Sequence, residues 1–541
     1  MAKLPKPEEL LKINYKPPEM SWMDTPVEFK PGTYSYASKP ESLEMIGFPN
    51  PRVWSPSDED WKLPENWQEI ILDGLRDRLD RFRSLKLFMD ICVRCGACAD
   101  KCHFFLGSGD PKNMPVLRAE LLRSVYRKEY TLAGKLMARM VGARELTVPV
   151  LKEWFYYFFQ CTECRRCSVF CPYGIDTAEI TMIARELLNL VGLSIDWVMG
   201  PVSACYTKGN HLGIQPHGIV DSFDMAVDDI EDITGVRLDL SFNRKGAEIL
   251  YVPPSGDVFA TPGTYSLMGQ LMLFHEMGLD YTLSTFNSEG GNFGLFTSNE
   301  MMKRLNAKIY AEAKRLGVKW ILGGECGHMW RVINQYMDTM NGPADFLEVP
   351  VNPITGTRFE NAKSTKMVHV TEFTADLLRH NKIKLDPSRN KGVIATYHDS
   401  CNPARAMGLL EEPRYILDHC VEWYEMPEDT IKEKTFCCGS GAGLGNDENM
   451  EMRMRGGFPR ANAVKYVHEK HGVNMLACVC AIDRAALPPL MRYWVPGVEV
   501  CGVHELLGNA LVMKGEKKRE ENLRFEPLQN LEDEVEEGAN V

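Results

Sequence analysis

Seventeen cysteines are the residues of this 541-residue chain whose type and spacing could support chemistry. Eight of them form two runs with the same pattern, in which gaps of two, two and three residues separate four cysteines. In proteins with two [4Fe–4S] clusters, the first three cysteines of such a run bind one cluster and the fourth binds the other. The predicted ligand sets are Cys92, Cys95, Cys98 and Cys171 for one cluster, and Cys161, Cys164, Cys167 and Cys102 for the second.

Zinc is the alternative metal for these runs. Zinc sites seldom use three cysteines in so tight an array, and both runs match the ferredoxin pattern in full. We therefore predict two cubane [4Fe–4S] clusters rather than two zinc ions.

A further group of cysteines surrounds the adjacent pair Cys437–Cys438, which opens a glycine-rich stretch. Neighbouring cysteines rarely form a disulfide with each other, because disulfide geometry favours a larger separation of the Cα atoms. They are well placed to put two thiolates on one metal cluster. Cys401 lies upstream of the pair, and Cys478 and Cys480 lie downstream. Five sulfurs are more than a simple four-cysteine cluster needs.

Four short apolar stretches predict the strands that position these residues: 249–252, 319–322, 393–396 and 473–476. The second two repeat the first two with an offset close to 150 residues, which indicates two related α/β lobes. Open α/β sheets bind ligands just past the carboxyl ends of their strands. The residues at these places are Cys326 and His328 in the first lobe, and His398, Cys401, Cys478 and Cys480 in the second.

His328 and His398 are candidate proton donors to a leaving thiolate, because histidine titrates near neutral pH. The alternative is that each only hydrogen-bonds a loop or packs against a cluster. The glycines at 439–443 lack the Gly-Lys-Ser/Thr ending of a phosphate-binding loop, so no nucleotide is expected. They are interpreted instead as letting backbone pass close to a cluster.

Composition narrows the possible functions. A net charge of −12 argues against a nucleic-acid partner, which needs a concentrated basic surface. The N-terminal residues lack the apolar segment of a signal peptide, and no apolar run reaches the roughly 18 residues of a membrane span. The sequence therefore predicts a cytoplasmic chain, in which this many cysteines favour metal binding over disulfides.

The elements predict an α+β multidomain protein. The predicted units are an extended N-terminal arm (1–65), a helical ferredoxin-like domain (66–200), two α/β lobes (246–365 and 366–512) and an acidic tail (513–541). A helix is predicted over 66–90, ahead of the first cysteine run. Residues 114–145 are helical and basic, which favours a solvated face over a docking surface. The aromatic stretch 151–160 favours a core packed on a cluster, and the alternative is contact with a membrane subunit.

The spacing Cys401-x35-Cys437-Cys438-Gly439-x38-Cys478 resembles the cysteine-rich CCG domain of heterodisulfide reductases. Two ferredoxin-type runs followed by two lobes resemble the D-type iron–sulfur chain of heterodisulfide reductases, and in particular the iron–sulfur subunits of Hdr-like menaquinol-oxidising complexes such as DsrMKJOP. The resemblance covers roughly residues 30–510 and implies two pseudo-repeated CCG-type lobes, the first of them degenerate.

The resemblance also implies a function. The CCG cysteines would bind a non-cubane [4Fe–4S] cluster that reduces a disulfide or trisulfide, with electrons arriving from menaquinol through a haem b (DsrM-like) membrane subunit and the two cubane clusters. The implied substrate is a DsrC-like sulfur carrier of dissimilatory sulfur metabolism. The chain would then be attached to the cytoplasmic membrane through its partner subunits.

One departure from the family bears on the site. The family motif closes with Cys-x2-Cys, whereas this chain closes with Cys478-Val479-Cys480. Cys326 of the first lobe is a candidate further ligand or a neighbouring thiol. Two alternative functions remain at this point: an electron-relay subunit of a 2-hydroxyacid (glycolate-type) dehydrogenase, and an electron conduit without a reactive third centre.

Overall fold

The computed structural model describes residues 63–194, 196–289, 292–445 and 450–528. The predicted N-terminal arm lies outside these residues except for 63–65, and so does the predicted acidic tail beyond residue 528. The limits of the predicted domains stay predictions.

The first part of the described chain is helical. Its helices are α1 (Trp67–Arg81), α2 (Arg83–Ile91), α3 (His103–Ser108), α4 (Pro115–Tyr130), α5 (Leu132–Leu136), α6 (Ala138–Val141), α7 (Val148–Phe158), α8 (Arg166–Val169), α9 (Thr177–Leu190), α10 (Asp196–Lys208) and α11 (Pro216–Thr234). The helix predicted over 66–90 is two helices, because the backbone of Phe82 is extended (φ −108°, ψ 92°). The first cysteine run lies in the connection between α2 and α3, and the second lies between α7 and α9, with Cys167 inside the short helix α8.

The aromatic helix α7 belongs to the core of this helical part. Trp154, Phe155, Phe158 and Phe159 are buried in one apolar cluster with α9, as the core interpretation of this stretch predicted. The basic helix α4 differs from its prediction. Arg118 is buried together with Arg123, so α4 does not present a uniformly solvated face.

The rest of the described chain contains two four-stranded parallel sheets. The first has the order β2-β1-β3-β4 and the second the order β6-β5-β7-β8. The strands are β1 (Ile249–Val252), β2 (Tyr281–Leu283), β3 (Trp320–Gly323), β4 (Met367–His369), β5 (Ile394–His398), β6 (Glu422–Trp423), β7 (Met475–Cys478) and β8 (Glu499–Gly502). All four predicted strands are present, within two residues of their predicted limits.

Helices connect the strands, as parallel pairing requires. They are α12 (Ser255–Phe259), α13 (Gly263–Glu276), α14 (Asn292–Leu295), α15 (Asn299–Leu316), α16 (Gly327–Val332), α17 (Asp338–Asn341), α18 (Val370–Arg379), α19 (Glu412–Cys420), α20 (Met450–His471), α21 (Ala481–Trp494) and α22 (Val503–Ala510). The chain is thus a mixed α+β protein, with a helical part followed by parallel α/β parts.

The two sheets are joined by a close helix crossing. A Cβ atom placed on Gly269 of α13 would lie 1.9 Å from the carbonyl oxygen of His504 in α22, and one on Gly508 would lie 2.7 Å from the Cα atom of Gly269. Only glycine allows two backbones to approach this closely. The carboxyl ends of β3 and β7 also meet, since the Ala481 amide donates to the Glu325 carbonyl (3.0 Å).

Candidate functional site

The first pocket is formed around the first cysteine run. Cys92, Cys95, Cys98 and Cys171, the four ligands predicted for one cluster, all line it. Helix α2 ends at Ile91, immediately before the run, and the first turns of α4 cover the pocket through Pro115 and Val116. Cys95 is exposed, so this pocket lies at the protein surface.

The second pocket contains the other predicted set. Cys102, Cys161, Cys164 and Cys167 line it, and Cys167 also lines the first pocket. The buried Arg118 guanidinium points into this set, with Nη1 3.9 Å from the Cys102 Sγ. Although burial raises it, Arg118 holds the pKa of the Cys102 thiol below its usual value. A buried cation beside four thiols suits the negative charge of a thiolate-bound iron–sulfur cluster.

A third group of sulfurs begins where the second pocket ends. Hydrogen bonds from Cys164, Cys401 and Cys438 lower the pKa of the Cys437 thiol well below its usual value, against the effect of burial. The Cys164 and Cys437 sulfurs and a ring nitrogen of His103 all lie within 4.8 Å of one another. The structure therefore brings the second ferredoxin-type run and the vicinal pair into direct contact.

Thr162 and His103 fill the space beside this contact. His103 Nε2 lies 2.8 Å from Thr162 Oγ1, which in turn lies 3.3 Å from the Cys437 Sγ. The other ring nitrogen of His103 lies 2.8 Å from the Gly456 carbonyl in α20. His103 thus ties the helical part to the lobe that carries the vicinal cysteines.

The glycines after Cys438 allow close contacts of the backbone with neighbouring segments, and their proximity to a cluster stays a prediction. Gly439 has φ +89° and its N–H donates to the Cys437 Sγ (3.4 Å). A Cβ atom on Gly441 would lie 3.2 Å from the Thr162 carbonyl oxygen and 3.5 Å from His328 Nε2. The loop therefore lies between the helical part and the first lobe, in contact with both.

Two of the predicted third-site cysteines, Cys326 and Cys480, share one space in the structure. They line a cavity of about 320 Å³, together with His328 and residues of the helical part and both lobes. The thiol of Cys478 is buried and donates to the Cys501 carbonyl (3.6 Å). Cys478 belongs with Cys437 and Cys438 to one buried apolar group, whereas Cys326 and Cys480 lie on the cavity wall.

The two predicted proton donors have different surroundings. Burial lowers the pKa of His328 to about 4, so its ring is neutral near pH 7, and the ring packs edge-on against Phe296. His398 is also buried, with Nε2 3.4 Å from Asp483 Oδ2. Asp483 hydrogen-bonds Cys438 as well, so it links His398 to the vicinal pair.

Glu325, which precedes Cys326, belongs to a buried ion network between the lobes. Its carboxylate accepts from Arg484 Nη1 (2.7 Å), and its other oxygen lies 2.7 Å from His504 Nδ1. Arg484 also pairs with Asp257 of the first lobe. Burial raises the pKa of Glu325, but Arg484 and His504 outweigh it and hold the pKa at about 2. Glu325 therefore joins the lobes rather than facing the cavity.

Several residues of the site were not found from the sequence. Asp483 lies three residues past Cys480, and His103 directly follows Cys102, but neither belongs to a motif. His211 and Glu289 line the cavity and contact each other (3.0 Å). A sequence signal did exist near Glu289: Thr285-Phe286-Asn287-Ser288 repeats Thr435-Phe436-Cys437-Cys438 at an offset of 150 residues.

Comparison with known proteins agrees with iron–sulfur binding in the part of the chain that forms the first two pockets. Residues 88–175 match the 4Fe-4S dicluster domain. The chain is 50% identical to the Hdr-like menaquinol oxidoreductase iron-sulfur subunit 2 of Archaeoglobus fulgidus, over 97% of this chain and 99% of that one. It is 49% identical to the Hdr-like menaquinol oxidoreductase iron-sulfur subunit of Archaeoglobus profundus over the same shares. The chain belongs to the family of Hdr-like menaquinol oxidoreductase iron-sulfur subunits.

A more distant relative is the D-type chain of the dihydromethanophenazine:CoB--CoM heterodisulfide reductase of Methanosarcina mazei. It is 27% identical, over 66% of this chain and 79% of that one. Family membership makes the chain an iron–sulfur oxidoreductase subunit, and the dicluster domain implies iron–sulfur clusters. Among the described residues, no helix has both the length and the apolar character to cross a membrane.

Proposed function

We propose that this chain is the catalytic iron–sulfur subunit of a menaquinol-oxidising membrane complex, and that it reduces a disulfide or trisulfide on a DsrC-like sulfur carrier. The observation that carries the proposal is the contact between the Cys164 and Cys437 sulfurs. It joins a predicted electron-transfer site to the vicinal cysteines, which the family resemblance assigns to a reactive cluster.

The three groups of thiols form a continuous path. Cys167 lines both ferredoxin-type pockets, and Cys164 lies in the second pocket and against Cys437. When bound, the two cubane clusters would supply one-electron transfer and the non-cubane cluster would supply disulfide cleavage. The exposed Cys95 marks the first pocket as the entry point for electrons. The third group, in which Cys437 and Cys438 are buried, is then the end of the path.

We propose Cys401, Cys437 and Cys438 as ligands of the third cluster, with Cys478 and Cys480 completing the set. Cys480 lines the cavity, so a cluster that it binds would adjoin the substrate space. Cys326, on the same cavity wall, is proposed as a thiol that faces the substrate. Asp483 and His398 would hold the vicinal pair in place, because the Cys438 thiol donates a hydrogen bond to the Asp483 carboxylate.

The cavity supports a protein-borne substrate. Its apolar lining includes Val198, Pro201, Phe293, Phe296 and Ile482. Among the described residues, no lysine or arginine lines it, and its one histidine–carboxylate pair, His211 with Glu289, offers no net positive charge to an anionic small thiol. A cavity whose lining is mostly apolar suits the sulfur-bearing end of a polypeptide better than a charged cofactor.

An exposed apolar surface near the first pocket supports attachment to a membrane subunit. Leu132, Leu136 and Met140 of α5 and α6 are 74%, 73% and 82% exposed. The segment adjoins the first cysteine run: Arg127 donates to the Gly142 carbonyl, and both Arg127 and Arg94 pair with Glu120. We propose this surface, here called the entry surface, as the contact with the haem b subunit.

The test is quinol-driven turnover of the purified complex. Menaquinol oxidation should produce two thiols per disulfide of the carrier, and oxidised protein treated with the reduced carrier should give a new S = 1/2 EPR signal. Menaquinol oxidation without thiol formation, together with an iron content of about eight per chain from two clusters, would instead favour an electron conduit.

A further inference from the structure

The two lobes carry different residues at equivalent positions. Val252 ends β1 and His398 ends β5, and each pairs with the last residue of its central neighbour strand. Three residues beyond these ends stand Ser255 in the first lobe and Cys401 in the second. Likewise, Asn287 and Ser288 stand where the second lobe has Cys437 and Cys438. The first lobe thus has hydroxyl and amide groups in place of the cluster-binding thiols.

A histidine lies at this place in the first lobe. His211, from the segment between α10 and α11, has Nδ1 2.6 Å from Ser255 Oγ and 3.0 Å from Glu289 Oε2. Its backbone N–H also donates to Glu289 (2.7 Å). The ring stacks on Phe293, with centroids 5.3 Å apart. Side chain and backbone are therefore both held, which fixes the direction of the imidazole.

The same histidine opens onto the cavity. His211 and Glu289 line it together with Cys326, Cys480 and His328. The His211 side chain is 24% exposed, whereas Glu289 is buried. The carboxylate binds Nδ1 of a ring that is itself part of the cavity wall, which is the arrangement of a histidine oriented by an acid.

We propose that His211, oriented by Glu289, donates a proton to the thiolate that leaves when the substrate S–S bond is reduced. This rests on the proposed function. Reduction of R–S–S–R′ breaks one S–S bond and consumes two electrons and two protons to give RSH and R′SH. Menaquinol supplies the electrons. His211 gives one proton to the leaving sulfur and is reprotonated by water, and water gives the second proton.

The charges around His211 favour its protonated form. Burial lowers the pKa of His211, but Glu289 outweighs it and raises the pKa above its usual value. Behind Glu289 lie the Cys205 thiol, 3.6 Å away, and Asp257, which is paired with Arg484. Lys308 faces Cys205 from α15. His328, in the same cavity, is neutral for the reason given above, so His211 is the better acid near pH 7.

The test compares His211→Gln with wild type in the whole complex, using menaquinol and the disulfide form of the DsrC-like carrier from pH 6 to 8.5. We expect kcat at pH 6.5 to fall about tenfold or more, with KM unchanged, because general acid catalysis is lost. The ratio of wild-type kcat to variant kcat should decrease as pH rises, since His211 then loses its proton. The control is His217→Gln, an exposed histidine of α11 outside the cavity.

Glu289→Gln keeps a hydrogen-bond partner but removes the charge that stabilises the imidazolium. The fall of wild-type kcat with rising pH should therefore move to lower pH, by about one unit. Iron content and cubane EPR signals check that each variant is assembled, and Glu289→Gln decides the question if His211→Gln does not assemble. A wild-type complex that makes no thiol overturns the proposed function. If both variants keep the turnover and the pH profile of the wild type, the role of His211 is overturned and the proposed function is not.

Discussion

The two lobes share a strand order, but they place different chemistry at the same sheet edge. Beyond β5 and in the loop that follows β6, the second lobe has Cys401 and the pair Cys437–Cys438. At the corresponding places the first lobe has Ser255, Asn287 and Ser288. Thiols suit iron, whereas hydroxyl and carboxyl groups hold a histidine. Under the roles proposed above, one scaffold used twice would divide the reaction into an electron side and a proton side.

The two lobes also differ two residues past the ends of their strands β3 and β7. Two residues past the end of β7 lies Cys480, and two residues past the end of β3 lies Glu325. Cys480 faces the cavity, whereas Glu325 binds Arg484 of the opposite lobe. The first lobe thus uses this position to fasten the second lobe, which keeps the cavity walls at a fixed separation.

Cys438→Ala should have the largest effect. Removing one thiol of the vicinal pair should abolish carrier reduction through loss of the third cluster, while both ferredoxin-type clusters still titrate in EPR redox titrations. Cys420→Ala, which removes a buried thiol of the same lobe away from the site, should keep activity. Surviving turnover in Cys438→Ala would show that the second lobe is not the electron side.

Arg484→Met should weaken the connection between the lobes. It would leave Glu325 and Asp257 as buried charges without their cation. Breaking a buried pair in this way costs about 3–5 kcal/mol, so the denaturant midpoint should fall clearly. Arg492→Met, an exposed arginine of the same helix, should change stability by less than about 0.5 kcal/mol. Equal denaturant midpoints for Arg484→Met and Arg492→Met would show that the pairing of Glu325 with Arg484 does not hold the lobes together.

Leu136→Asp combined with Met140→Asp tests whether the entry surface brings electrons to the path. Loss of two apolar anchors should reduce quinol-driven turnover about tenfold by weakening subunit association. Turnover driven by a reduced viologen dye should not change, because the dye needs no membrane subunit. Met225→Asp, on another exposed apolar residue, is the control. An equal loss of dye-driven turnover would show that the two substitutions disturb this chain itself rather than its association with the membrane subunit.

Ser255→Cys should have the smallest effect and sharpens the comparison most directly. It restores one thiol to the first lobe, but Asn287 and Ser288 still replace the vicinal pair. Iron content should therefore stay unchanged. Turnover should fall by about fivefold at most, because the hydrogen bond to His211 that is weakened is worth about 1 kcal/mol. Extra iron in this variant would show that a single thiol is enough to rebuild a cluster site there.

The local patterns were readable from the sequence. The spacing of the two cysteine runs predicted the two sets of thiols that line each pocket, and short apolar stretches predicted the four central strands. Both signals depend on neighbours in the chain. The crossed positions, with Cys171 in the first pocket and Cys102 in the second, are those expected from the three-residue gap that turns the last cysteine away.

The contacts between distant segments were not readable. Cys164 and Cys437 are brought together only by the docking of two domains, and the burial of Arg118 depends on the pocket that it enters. Nothing in the spacing separates Cys480, on the cavity wall, from Cys478, behind it. His211 belongs to no motif, because its role comes from a connecting segment that crosses the edge of a distant sheet.

The position of Gly441, pressed between Thr162 and His328, has a consequence for the biogenesis of the protein. The residues that line the two ferredoxin-type pockets all come from positions 92–178, in the helical part of the chain, so these pockets need no contact with the lobes to form. The loop of the vicinal cysteines is fixed only after the helical part and the first lobe have docked on both sides of it. We therefore expect the two ferredoxin-type clusters to be inserted first and the third cluster last. A chain at the intermediate stage would transfer electrons but would not reduce the substrate.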